Sequence, residues 1–194
     1  MPISDVSWTD DRKWIAQICP MDPVFLQCMF EYNPHLLEKA AVIILQRQDL
    51  VRKGYFTAGN GTGIRMQDGG GREVRITIAG EGFCPVRRTG AVPYDARRPV
   101  SAWYDIRIAE NDAFGQGWPV YCFASGEKTR LIINGGYRGE SALSCLLHDL
   151  RCPAPENMLL PELILTVRYL KESEAGIRRV VRAMENAQPG AAIG

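Results

Sequence analysis

Carboxylates held close together on neighbouring strands can bind a hard dication, and this chain offers Asp22, Glu38, Asp68, Glu73, Glu81 and Asp105 as candidates. Local context narrows them. Asp68 opens the turn sequence Asp68-Gly69-Gly70-Gly71, and Glu73 stands in an alternating stretch as a cross-strand partner for an arginine. Glu38 falls on a helical period with an ordinary solvent-facing reading. Asp105 and Arg107 lie at i and i+2 of Tyr104-Asp105-Ile106-Arg107-Ile108, on one side of a strand whose other side is apolar. Unpaired charge in a buried strand is costly, which makes this pair an oddity.

Other chemistry is thinner. Cys145, His148 and Cys152 have C-x2-H-x3-C spacing, but a structural zinc takes four ligands and the second histidine, His35, is far away in sequence. The six cysteines contain no C-x-x-C pair and are expected as free thiols. His148 and Asp149 are adjacent, and adjacent helical residues do not face each other, so a capping or surface role is expected in place of a triad. Gly59-Asn60-Gly61-Thr62-Gly63 has the composition of a phosphate-cradling loop, yet strand signals follow it where such a loop needs a helix. From Phe83 to Pro99 four arginines, Arg87, Arg88, Arg97 and Arg98, face one aspartate. They are the candidate phosphate contacts, against the simpler reading of a solvated linker.

The elements that must position these residues follow from periodicity. Residues 1–20 show no sustained period and are expected as a loose arm. Asn33-Pro34 opens a helix with Leu37, Ala40, Ala41, Ile44 and Leu45 on one face, ending near Gln46 or Gln48. Leu50–Thr57, Ile64–Gln67 and Val74–Ile78 then read as a strand meander, and Trp103–Ile108 and Leu131–Asn134 as further strands. Ser141 caps a helix carrying Leu143, Leu146, Leu147 and Leu150; two more amphipathic helices follow, and residues 187–194 form a tail. Lys171, Arg178, Arg179 and Arg182 are assigned to the polar faces and ends of those last helices.

Composition bounds the rest. The 194 residues are 46% hydrophobic and 23% charged, enough for one domain with a real core. With 23 Lys+Arg against 22 Asp+Glu the formal charge is +1, which argues against a polyanion-binding surface over the whole molecule. No apolar run reaches membrane-spanning length and the first 20 residues lack a signal peptide's pattern, so a soluble cytoplasmic protein without a membrane partner is expected.

Several blocks in one order and spacing resemble a known family. These are Asn33-Pro34 with its helix and IILQRQDL, GREVRI on a strand, AENDAFGQGWPVY, INGGYRGESALSCLLHDLRCPAPENM, and VRYLKESEAG. They are similar to the PD-(D/E)XK nuclease-family transposases, the recombination-promoting-nuclease or YhgA-like proteins of bacteria. The similarity runs from about residue 22 to 186 and is strongest from Glu110 to Met184. It implies an α/β (α+β) fold with a truncated restriction-endonuclease-like core, a mixed sheet and a helical C-terminal third, as one domain over residues 21–186.

The resemblance also implies Mg²⁺-dependent DNA cleavage, with an aspartate on one strand and an acid-x-Gln or acid-x-Lys pair on its neighbour. The family's aspartate follows G-R-x-V-R-L; here Gly71 to Ile78 reads GREVRITI, so the neutral Thr77 occupies that position. The second strand has two placements. On CPVRR, Pro85 and Arg87 fall at the acid and glutamine; on YDIRIA, Arg107 and Ala109 do. Neither supplies the acid. The stretch from Thr77 to the AEND block is also short for the family, as if a covering helix were lost, which would leave the Asp105 and Arg107 side of its strand open to solvent.

The expectation is therefore a transposase-like protein without cleavage and without a required cofactor, acting through weak DNA binding. Self-association or a protein partner on the face left by the lost helix is the other binding route. An active endonuclease with Mg²⁺ held by displaced ligands, Glu38 and Asp105 foremost, is one alternative. A protein-interaction module or the product of a decaying gene is another.

Overall fold

A computed structural model describes residues 5–59, 61–82, 91–111, 117–125 and 128–187. Its strands are β1 (Val51–Ala58), β2 (Gly61–Gln67), β3 (Glu73–Gly82), β4 (Val92–Pro93), β5 (Trp103–Ala109), β6 (Val120–Ser125) and β7 (Lys128–Ile133). They form one mixed sheet in the order β1-β2-β3-β5-β7-β6-β4. The β1-β2-β3 meander is antiparallel, β3, β5 and β7 run parallel, and β6 and β4 complete the far edge antiparallel to their neighbours. The fold is mixed α/β, as the periodicity indicates. The connection from β3 to β5 places β4 on the far edge and returns to the centre of the sheet, and residues 91–102 carry no helix.

The helices are α1 (Asp5–Gln17), α2 (Pro23–Tyr32), α3 (Pro34–Leu45), α4 (Ala142–Arg151), α5 (Pro161–Glu172) and α6 (Glu174–Ala187). Their ends are written locally. Asp22 Oδ1 accepts from the backbone N–H of Val24 and Phe25 at 3.0 and 3.1 Å, with Pro23 in the first turn of α2. Gln46 closes α3 in the left-handed conformation, φ 52°. Ser141 Oγ accepts from Ser144 N–H at 3.2 Å at the start of α4.

Alternation divides the sheet into two unlike faces. Ile64, Met66, Ile76, Ile106, Leu131 and Ile133 point one way and are fully buried, in one cluster with the apolar faces of the helices. α2 and α3 pack on that face, and α2 is enclosed from behind by α5 and α6, so Phe25, Leu26, Cys28, Met29 and Phe30 are all buried. The opposite face carries a small cluster at one end, where Ala91 and Phe123 pack on Ala109, Tyr121 and Ile132. Elsewhere the described part of that face carries Arg65, Arg75, Thr77, Asp105, Arg107, Lys128 and Arg130, with Trp103 among them and the Phe56 ring over Gly63 at the β1–β2 side.

Three expectations are corrected. The loose arm over 1–20 is instead largely α1, because Ile15 is fully buried and Lys171 Nζ donates to the carbonyls of Ala16 and Ile18 at its end. Lys171 is accordingly not on a polar face: only 3% exposed, it also donates to Pro153 O at 2.7 Å and lies 5.4 Å from the Phe25 ring centroid. Burial pulls its pKa down to about 8, against the pull of Cys19 and Cys152 the other way. His148 and Asp149 do meet, with Nδ1 3.0 Å from Oδ1, while Asp149 accepts from the N–H groups of Leu159 and Leu160 at 2.8 and 2.7 Å and so holds the entry to α5. The tail expected over 187–194 lies outside the described residues apart from Ala187, the last residue of α6.

Candidate functional site

The polar face is organised by strand register. Arg65 on β2 is opposite Arg75 on β3, Arg75 is beside Trp103 on β5, and Trp103 is beside Lys128 on β7. With strands about 4.8 Å apart, this row is roughly 14 Å long. The next row holds Gly63, Thr77, Asp105 and Arg130, and a third holds Ala79, Arg107 and Ile132. Like charges directly opposite on antiparallel strands, as at Arg65 and Arg75, are unfavourable. Glu73 offsets part of this, accepting from Arg75 Nε at 3.2 Å, but as a same-strand neighbour and not across strands.

Asp105 is the centre of the arrangement. Its side chain is 2% exposed, whereas those of Arg107, Lys128 and Arg130 are 37%, 42% and 44% exposed. Oδ1 accepts from Arg107 Nε at 2.9 Å, and Oδ2 accepts from Arg130 Nε at 3.0 Å with Nη2 at 2.9 Å. Lys128 Nζ stands 3.6 Å from Oδ2 and 4.8 Å from the Trp103 ring centroid. Burial pushes the Asp105 carboxyl pKa up, but Arg107, Arg130 and Lys128 together outweigh it and hold the pKa below the usual carboxylate range. Among the described residues no helix covers Asp105, and Arg107, Arg130 and Lys128 lie around it. Taken together, these four side chains carry two positive charges in excess.

Beside the cluster is a cleft of about 470 Å³ with Thr77, Trp103, Asp105, Arg107 and Lys128 on its sheet wall. Gln27 and Phe30 of α2 close one side, and the hairpin end at Gly59 and Gly61 another. Gly61, Thr62 and Gly63 of the glycine-rich string open strand β2 and no helix follows them, as the strand signals indicate; the position of Gly59 and Gly61 beside the cationic cluster comes only from the fold.

The residues singled out in the sequence fall in different places. Thr77 and Asp105 are register partners on adjacent strands, and Thr77 Oγ1 approaches Tyr104 O at 3.5 Å. Arg107 faces the cleft, while Ala109 is buried under Tyr121 and Ile132. Glu38 is elsewhere, on the helix-covered side, with Arg52 Nη1 at 3.1 Å and His35 Nδ1 at 3.7 Å. Arg97 and Arg98 sit in a turn after β4, at the opposite edge of the sheet from β1, where Asp95 accepts from their backbone N–H groups. Pro85, Arg87 and Arg88 lie outside the described residues. Asp68 is the turn former expected of it, with Oδ1 accepting from Gly70 N–H and Arg72 N–H at 3.0 and 2.9 Å. Cys145, His148 and Cys152 form no ligand set, Cys152 Sγ donating to Ala154 O at 3.2 Å; among the described residues no group of three His, Cys, Asp or Glu is placed to hold a metal.

Arg65, Arg75, Trp103, Lys128 and Arg130 are absent from the sequence candidates. The alternating Lys128-Thr129-Arg130 is a period-two signal, but only the β5–β7 register shows that it faces Asp105. Among the described residues no helix is long and apolar enough to cross a membrane. No protein-family model, curated protein or solved structure matches the chain.

Proposed function

We propose that this chain is a non-cleaving relative of the PD-(D/E)XK nuclease-family transposases that binds DNA through the uncovered face of its sheet. The observation that carries the reading is the row of Arg65, Arg75, Trp103 and Lys128 across four adjacent strands. Clustered cations with an interleaved aromatic ring suit a phosphate backbone and a stacked base. A global charge of +1 is no obstacle when the cations are concentrated on one face. A restriction-endonuclease-like core is supported by the adjacency of the Thr77 and Asp105 strands, which also favours the YDIRIA placement of the second catalytic strand.

Cleavage finds no such support. Both oxygens of Asp105 are engaged by arginine, and its neighbour across the strands is a threonine. A dication would have to displace those arginines from Asp105. Self-association through this face has less support, because charged side chains outnumber Phe56 and Trp103 on its described part.

Fluorescence anisotropy with labelled single- and double-stranded DNA, from about 50 to 200 mM salt, tests the proposal. Binding should weaken steeply with salt and fall about tenfold in Arg75→Ala/Lys128→Ala. Absence of binding at the lowest salt would overturn it. Plasmid cleavage with Mg²⁺ or Mn²⁺, abolished by EDTA and by Asp105→Ala, would restore the endonuclease alternative.

A further inference from the structure

We infer that the cluster around Asp105 is a phosphomonoester site, which takes the doubly charged phosphate at the end of a nucleic acid or on a free nucleotide. The inference rests on the proposal that this face binds nucleic acid, and adds which phosphate is preferred.

Donor geometry comes first. Asp105 takes the Nε edge of both Arg107 and Arg130, which fixes their guanidinium planes while their side chains remain more than a third exposed. Lys128 Nζ, at 3.6 Å, is beyond hydrogen-bonding distance of the carboxylate and makes no hydrogen bond among the described residues. The buried carboxylate is thus a positioning residue: it gathers three cations and leaves outward donors for an incoming anion.

Charge then discriminates. Arg107, Lys128 and Arg130 set against Asp105 carry two positive charges in excess. A bridging phosphodiester has one negative charge, whereas a monoester with a second pKa near about 6 carries close to two at neutral pH. Only the monoester neutralises the cluster.

Shape points the same way. Arg65 and Arg75 lie on open sheet, where a continuous backbone can pass, but Arg107 and Lys128 border the cleft of about 470 Å³ that α2 and the β1–β2 hairpin close on two sides. That volume is within the range of small-molecule sites, roughly 300–1,000 Å³. A chain end or a nucleotide enters such a recess, while an uninterrupted strand does not. Trp103 lines the same wall, with Lys128 Nζ over its ring at 4.8 Å from the centroid.

The test uses the full chain and one oligonucleotide sequence with a 5′-phosphate, a 3′-phosphate, two hydroxyl ends, or closed into a circle, each with an internal fluorophore. One phosphorylated end should bind about tenfold more tightly than the hydroxyl-ended strand and the circle. That preference should shrink as pH falls from about 7.5 to 5.5 and the monoester takes up its second proton. Arg107→Ala and Lys128→Ala should erase the preference, whereas Arg65→Ala should weaken all four ligands and keep their ratio. Calorimetric titration with a nucleoside monophosphate, its nucleoside and inorganic phosphate separates the sources: binding of the monophosphate alone assigns the site to free nucleotides as well as ends. Equal affinity for all four oligonucleotides overturns the monoester site and leaves backbone binding standing. If no oligonucleotide binds, DNA binding fails, and the monoester site fails with it unless the monophosphate binds in the calorimeter.

Discussion

Ile78, Ile106 and Leu131 are neighbours across β3, β5 and β7 on the helix-covered face, and Thr77, Asp105 and Arg130, one residue earlier on the same strands, are neighbours on the other. The first row is buried hydrocarbon; the second is a buried carboxylate beneath half-exposed cations. Because side chains alternate along a strand, one register builds both rows, yet their energetics differ. Removing hydrocarbon under a close-packed helix layer leaves a void that the packing cannot fill, whereas a cation released on the open face is rehydrated. If the open face binds anions as proposed, stability is concentrated on one face and binding on the other, and substitutions should separate the two.

The largest expected effect is on the covered face. Ile106 is fully buried at the middle of the sheet, and Ile106→Ala should cost about 3–4 kcal/mol in urea unfolding, the usual range for a core isoleucine. DNA affinity of the remaining folded protein should stay within about twofold of the parent, a change under about 0.5 kcal/mol. A loss of affinity comparable to the loss of stability would show that the two faces are not independent.

A cation on the covered side sharpens the contrast. Lys171 spends its donors on the carbonyls of Ala16, Ile18 and Pro153, unlike Lys128 on the open face. Lys171→Met leaves those acceptors unpaired while relieving a buried charge, for a net loss of about 2 kcal/mol. The pH dependence has a definite sign. The folded pKa is lowered to about 8 from 10.5, so between those values the unfolded chain holds a proton that the folded chain has released. Parent stability should therefore rise relative to Lys171→Met across that interval and show no such change below it. Chemical denaturation of both proteins across that range checks this.

Neither Lys171 nor the charge cluster was visible as such in the sequence, and the reasons are physical. What is readable is local: the alternation in β1, β2, β3 and β5, the Pro34 start and Gln46 end of α3, and the Ser141 cap of α4. Helices enclose α2 from behind, so its polar face is only the pair Gln27 and Glu31, too short to mark an amphipathic period. β4 is two residues long, and β6 is recognisable only beside β7. The charges at Asp105 and Arg107 were visible as an anomaly in a strand. Their partners Lys128 and Arg130 are more than twenty residues away and are delivered by a parallel pairing that no local pattern encodes.

A smaller effect is expected at the centre of the open face. Asp105→Asn should cost about 1–2 kcal/mol, because charge-assisted hydrogen bonds are lost but their cations can hydrate. The folded pKa of Asp105 is depressed, so its contribution is present above the unfolded value of about 3.9 and is lost as pH falls through the folded value. The stability gap between parent and Asp105→Asn should accordingly close on acidification below about pH 4. A gap that persists in strong acid would mean that the side chain matters by shape and not by charge.

The smallest effect on stability is the most informative about function. Arg65 is exposed and faces Arg75 directly across antiparallel strands, so removing it relieves a repulsion; Arg65→Ala should leave stability within about 0.5 kcal/mol of the parent, or raise it slightly. If the row is a phosphate track, the same change should lower the slope of log affinity against log salt by about 0.7–0.9, the contribution of one phosphate contact. Arg65→Ala/Arg75→Ala should then lower it by about twice as much. Two like charges held opposite each other at no gain to the fold, but with a measurable share in the salt dependence, would place the row's purpose in binding. An unchanged slope in both variants would return Arg65 and Arg75 to ordinary solvated surface.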